Sequence, residues 1–290
     1  MSGTTATFSG LTGGVTYKFK IAGINKYDTG VFSSVLAVVA AEPPQALDAP
    51  VVTLEGLYVK IAWTALSDNN ASILSYKVLI EDKDGSYIED VNACDGSSAT
   101  VLANEYCLVD MDKFWVAPFE LQQRTLVSAK VIAINERGSS TESPANTAGT
   151  LVETVPHQMN APTQGVDTDY QRVHLDWDTV IAPENGDSDV VSYIIYWDQG
   201  TGDDVDFVEL IGETSAFTLS TYTITSGLVT GGTYRFKVKA VNKWGTGDLF
   251  SDTVSVLVAS APAQILSATT SIDPLTGGVV IDWIAPDPRG

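Results

Sequence analysis

The chain has 290 residues and a net charge of −20, from 36 acids against 16 lysines and arginines. A surface of that sign repels nucleic acid and anionic membrane heads, because neutralising phosphate needs cations, and it favours divalent cations or basic partners. Charged residues are only 18% and aromatics 9%, with Thr, Val, Ser and Gly throughout, a composition for short strands and tight turns rather than helices.

The length suits two to three domains of about 100 residues each. No stretch approaches the roughly 18 apolar residues that would span a bilayer, and MSGTTATFSG at the start lacks the basic and apolar regions of a signal peptide. A repeat decides the organisation. The nine-residue strands YKFKIAGIN (Tyr17–Asn25), VSAKVIAIN (Val127–Asn135) and YRFKVKAVN (Tyr234–Asn242) share one pattern, with their asparagines 110 and 107 positions apart (135 − 25 and 242 − 135). One module has been copied in tandem.

In chain order, residues 1–41 hold only the last strands of a module. A Pro-bearing junction at 40–50 leads into a complete module, 44–155. Its first clear strand alternates Val59, Ile61, Trp63, and the next alternates Tyr76, Val78, Ile80. Period two ending on a large aromatic reads as a half-buried antiparallel strand facing a second sheet. Between them Asn70-Ala71-Ser72 forms a glycosylation acceptor in an expected loop. Cys94 and Cys107 flank the segment CDGSSATVLANEYC. The pair is placed to form a hairpin disulfide, which would imply an oxidising compartment; without the bridge both would be buried thiols. An extra stretch, MDKFWVAPFEL, follows.

The second complete module, 161–260, repeats the pattern with Val173, Leu175, Trp177 and then Tyr193, Ile195, Trp197. It holds 15 acids against 5 bases. Residues 262–290 carry only first strands, with Val279, Ile281 and Trp283. Trp63, Trp177, Trp283, Tyr17 and Tyr234 are the expected core anchors. Short linkers containing proline favour a semi-rigid rod.

Little in the sequence points to catalysis. His157 lies in a linker and His174 beside Asp176 on an outward face; no nucleophile elbow, phosphate loop or metal-type cysteine pair occurs. DQGTGDDVD gathers Asp198, Asp203, Asp204 and Asp206 in a turn where calcium could bind, since it takes 6–8 oxygens and tolerates loops; Asp and Gly also favour turns for backbone reasons alone. No other cofactor is expected. Tyr27 and Trp244 occupy equivalent loops after the repeated strand, as exposed interaction anchors or as packing against a neighbouring module.

The pattern Leu228, Tyr234, Phe236, Val238, Ala240, Asn242, Gly245, Ser251, and its N-terminal counterpart Leu11, Tyr17, Phe19, Ile21, Gly23, Asn25, Gly30, resembles the fibronectin type III family. The resemblance covers nearly the whole chain and implies an all-β fold: tandem immunoglobulin-like sandwiches, each of seven strands in two sheets, with the Tyr making a corner hydrogen bond. The middle module departs from it, with Val127 where the Tyr should stand, and the disulfide is expected to replace that clamp. The family's integrin-binding Arg-Gly-Asp is absent from the loops NKYDTG, NERGSS and NKWGTG. The cysteine segment, with C-D-G-S and a terminal Y-C, is also similar to modules of very long extracellular repeat proteins of ciliated protists. These resemblances imply a non-catalytic structural or adhesive segment of an extracellular or cell-surface filament, a ciliary coat included. Its partners would be neighbouring copies, in a head-to-tail polymer or otherwise, and other surface proteins. A spacer module of a secreted carbohydrate-active enzyme is the alternative.

Overall fold

A computed structural model describes residues 4–289, which divide into two compact units, one up to Val152 and one from Glu153 onward. In the first unit β1 (Thr16–Phe19) and β2 (Leu36–Val39) form an antiparallel hairpin with Tyr17 opposite Val38. Seven further strands follow: β3 (Val51–Glu55), β4 (Tyr58–Ala62), β5 (Ser75–Glu81), β6 (Tyr87–Ile88), β7 (Tyr106–Asp110), β8 (Ala129–Asn135) and β9 (Gly138–Ser139). They pair as β3-β4-β7 in one sheet and β6-β5-β8-β9 in the other. All the pairings are antiparallel.

The second unit repeats this order with β10 (Thr163–Gln164), β11 (Val173–Asp176), β12 (Val190–Trp197), β13 (Val208–Ile211), β14 (Thr221–Ile224), β15 (Thr233–Asn242), β16 (Gly245–Thr246) and β17 (Val254–Leu257). One sheet runs β10-β11-β14; in the other β13-β12-β15 is followed by a last strand in two pieces, β16 and β17. First, second and fifth strands in one sheet, third, fourth, sixth and last in the other, is the fibronectin type III arrangement of an immunoglobulin-like sandwich. The fold is all-β and tandem.

Alternation explains the layers. In β15 Tyr234, Phe236, Val238, Ala240 and Asn242 are buried, while Arg235, Lys237 and Lys239 are half-exposed on the other face. In β8 Ala129, Val131, Ala133 and Asn135 are buried in the same rhythm. A one-residue slip would turn each set to solvent, so register is strongly specified. Trp63 and Trp177 lie in the two cores with their rings edge-on to Tyr76 and Tyr193, centroids 5.1 and 5.9 Å apart. Burying such an indole contributes roughly 4–6 kcal/mol as an upper estimate.

Trp283 corrects the expectation. It sits in the hairpin of β18 (Ala268–Ile272) and β19 (Val279–Trp283), and it is 59% exposed. Every residue of these two strands is exposed, because no second sheet faces them among the described residues. The period-two pattern identified the strand; burial needs a partner layer that pattern alone does not supply. A short helix, α1 (Ala99–Asn104), also stands inside the cysteine segment, where composition pointed only to strands and turns.

Candidate functional site

The buried asparagine that closes each repeated strand is a staple in the complete sandwiches. Asn135 donates through Nδ2 to the carbonyls of Glu42, Asp68 and Ala71 at 2.8, 3.0 and 3.2 Å, and its Oδ1 accepts the Arg137 amide. Asn242 likewise donates to Thr154 and Asn185 carbonyls, at 2.7 and 2.9 Å, and accepts the Trp244 amide. The staple ties the segment leading into the sandwich to the loop between the second and third strands. Asn25 keeps only the turn function, accepting the amides of Tyr27 and Asp28. A serine repeats with it: Ser33, Ser143 and Ser251 accept the amides of Ile21, Val131 and Val238 at 3.1, 2.9 and 3.0 Å, pinning the last strand to the sixth.

The corner is solved in two ways. The Val229 amide donates to Tyr234 Oη at 2.7 Å, and the Thr12 amide to half-buried Tyr17 Oη at 2.8 Å, both across five residues. In the first unit Val127 leaves that position apolar, and Asn146 instead pins the start of the strand itself. Its Oδ1 accepts the Ala129 amide at 2.7 Å and its Nδ2 donates to the Val127 carbonyl at 2.9 Å. Leu126 bridges to Leu151 on the same bend.

Cys94 and Cys107 form a disulfide, their Cα atoms 5.7 Å apart, tying β7 to the segment after β6. The C-D-G-S run and the serine after it are locally organised. Asp95 accepts the amide and hydroxyl of Ser97, and the Ser97 hydroxyl holds its carboxyl below the usual range. Gly96 faces the Tyr76 carbonyl so closely that a side-chain carbon there would collide with it, and its own carbonyl accepts the Tyr76 amide. Ser98 caps α1 by accepting the Val101 amide. Met111, Phe114 and Phe119 of the extra stretch are fully buried, so that insert adds core to this unit.

The acidic turn of the second unit is not a carboxylate cluster. Asp198 is fully buried, and its oxygens accept the Arg235 amide, the Arg235 guanidinium and the amides of Gly200 and Gly202 at 2.9 to 3.2 Å. Burial, the largest influence, pushes its pKa up, but the hydrogen bonds from Arg235, Gly200 and Gly202 outweigh it and leave the carboxyl below its ordinary value. Asp204 pairs with another nitrogen of Arg235 at 2.6 Å, Asp203 caps the following 3-10 turn, and Asp206 is exposed at the end of that turn. The cation this turn is built around is a guanidinium. Among the described residues no group of three or more His, Cys, Asp or Glu is placed to hold a metal.

The remaining sequence candidates are dispersed. Asn70 is exposed, with its carboxamide against the Gly13–Gly14 turn. Tyr27 is 81% exposed. Trp244, its counterpart, is half-buried and donates through Nε1 to Glu153 at 2.9 Å within its own unit. His174 hydrogen-bonds the Thr221 hydroxyl, and its ring nitrogens stand 3.8 and 3.5 Å from Asp167 and Asp176. Asn146 was not singled out by the sequence; an Asn three residues after the repeated Ser was its only signal.

No described helix is long and apolar enough to cross a membrane. No protein-family model matches the chain. Among solved structures, the crystal structure of the chicken CNTN1 FN1–FN3 domains is similar at 15% identity, over 84% of this chain and 78% of that one, with a TM-score of 0.30. The fold assignment therefore rests on this chain's own strand order and register.

Proposed function

We propose that this chain is a non-catalytic structural or adhesive segment of an extracellular or cell-surface filament protein, in which fibronectin-type sandwiches act as independent beads that set length and present surface. One observation carries the reading: the buried asparagine and aspartate side chains of both units are used up in staples. Asn135, Asn146 and Asn242 hold backbone, and Asp198 holds Arg235. A catalytic site needs polar groups left free to meet a substrate, whereas these stiffen turns and the segments leading into each sandwich. The disulfide supports an oxidising location, since such bridges persist there and are rare in reducing compartments.

Single-molecule stretching of the whole chain tests the bead reading. Two separate unfolding events are expected, one per complete sandwich. Trp177→Ala removes about 3–5 kcal/mol from the second core, so one event should vanish while the other keeps its force. Loss of both events together in the variant would refute independent beads.

A further inference from the structure

The ten asparagines of the chain divide nine to one. Nine spend their carboxamides on hydrogen bonds, from Asn25 in its turn to Asn69, which donates to the Pro43 carbonyl at 2.7 Å, and Asn185, which accepts the Asp187 amide at 3.0 Å. Asn70 is the exception: among the described residues its carboxamide makes no hydrogen bond. It is also the asparagine that heads an Asn-x-Ser triplet, and Ser72 is exposed with its hydroxyl equally unused.

The backbone presents this group to solvent. Asn70 lies between β4 and β5, in a turn closed by the Ala71 amide on the Asp68 carbonyl at 3.2 Å. Asn69 and Asn70 are both left-handed, with φ of 48° and 69°, a conformation that asparagine tolerates. Turn chemistry accounts for an asparagine at each place. It does not account for one carboxamide tied down and the next left free, with a serine two residues on. Beside Asn70 runs a groove of about 530 Å³, within the range of small-ligand clefts, lined by Phe8, Leu11, Gly13, Ala40, Glu42 and Asn70 itself. Phe8 rests on Phe19, ring centroids 4.8 Å apart, and is still 60% exposed. Glycines keep the carboxamide uncrowded: a Cβ at Gly14 would come to 2.7 Å from Asn70 Oδ1, and one at Gly13 to 3.1 Å from Nδ2.

We propose that Asn70 carries an N-linked oligosaccharide whose first sugar, an N-acetylhexosamine, lies in this groove. In the transfer, Nδ2 displaces a lipid diphosphate from the anomeric carbon of a lipid-linked oligosaccharide. The N–C bond forms, the C–O bond breaks, the diphosphate leaves with the electron pair, and one Nδ2 proton passes to solvent. The other Nδ2 hydrogen and Oδ1 stay as they are, and the Asp68–Ala71 turn uses neither, so it needs no rearrangement. Phe8 and Leu11 offer apolar surface to the C–H face of a pyranose, while Ser9 and Glu42 line the same groove with polar groups for its hydroxyls. The inference rests on the extracellular reading, because such triplets are modified in secreted chains.

Mass spectrometry of the chain isolated from the cells that produce it is the test. The peptide containing Asn70 is expected to carry an oligosaccharide that an amidase specific for N-linked glycans releases, in a chain whose Cys94–Cys107 bridge is oxidised. Expressed in the same cells, Ser72→Ala removes no hydrogen bond among the described residues and should lose the added mass, while Ser72→Thr should keep it. Hydrogen exchange reads the seating. The Thr12 and Gly14 amides, bonded to Tyr17 Oη and the Ala40 carbonyl beside the groove, should exchange about tenfold faster in Ser72→Ala than in the parent or Ser72→Thr, with β3 to β9 unchanged. An unmodified Asn70 beside an oxidised bridge overturns the proposal and leaves the extracellular reading standing; an unmodified Asn70 beside free thiols overturns both. A modified Asn70 whose loss leaves exchange at Thr12 and Gly14 unaltered overturns the placement in the groove, and the proposal with it.

Discussion

The two complete sandwiches fix the start of the sixth strand with different side chains acting on different backbone groups. In the second unit one phenol, Tyr234, accepts the Val229 amide and donates to the Gly227 carbonyl. In the first, Val127 cannot reach either group; Asn146 takes a donor and an acceptor from the strand itself, and a disulfide ties β7 to the preceding segment. What topology fixes is the need for a partner at each buried backbone group, since an unpaired one costs about 1–3 kcal/mol. Which residue supplies the partner is free to vary, and variation there changes how each unit responds to chemistry.

Redox sensitivity is where the two should part most widely. Reducing Cys94–Cys107 frees a loop of 13 positions, and closing such a loop is worth roughly 3 kcal/mol in the chain-entropy account. Denaturant unfolding followed by hydrogen exchange should show protection falling across β3 to β9 and unchanged across β10 to β17. Equal losses in both would mean that the bridge is not a local clamp and would break the contrast.

Acid should act in the opposite sense, on the second unit. Asp198 has a folded pKa below its ordinary value, while the unfolded carboxyl titrates near 4. Above that unfolded value the ionised, hydrogen-bonded form stabilises the fold in full. As pH falls through the lower folded value both states become protonated and the contribution disappears. Melting temperature of the second unit should therefore drop more steeply below about pH 4 than in Asp198→Asn, which should begin lower and lose this component of the slope. Parallel curves for parent and variant would remove Asp198 from the account. The effect is expected to be smaller than that of the disulfide, because Arg235 is half-exposed and keeps Asp204.

How far these differences could be read from sequence follows from their range. Period-two runs before Trp63 and Trp177 and the repeated strand were legible, because strand faces follow from alternation within a few residues. The disulfide was legible from two cysteines in one module. Trp283 was misjudged because burial depends on a facing sheet, a non-local property. The acidic turn misled for a related reason: four aspartates in nine residues look like an oxygen cage until Arg235, 37 positions away, fills the one that is buried. Asn146 was invisible because its partners lie 17 and 19 positions back, across a bend whose shape the sequence does not state.

The finest test exchanges the corner devices. Tyr234→Phe keeps the ring, which stacks on Trp197 at 5.8 Å, and removes only the hydroxyl. It leaves the Val229 amide and the Gly227 carbonyl to water at a half-exposed site, so a loss of about 1 kcal/mol is expected in the second unit. Asn146→Ala strands the Ala129 amide and the Val127 carbonyl in the interior and should cost the first unit about twice as much. Equilibrium denaturation of both single variants gives the ratio directly. A Tyr234→Phe loss equal to or larger than that of Asn146→Ala would show that the hydroxyl organises the whole bend rather than satisfying one amide and one carbonyl, and the two corners could no longer be treated as clamps of comparable kind.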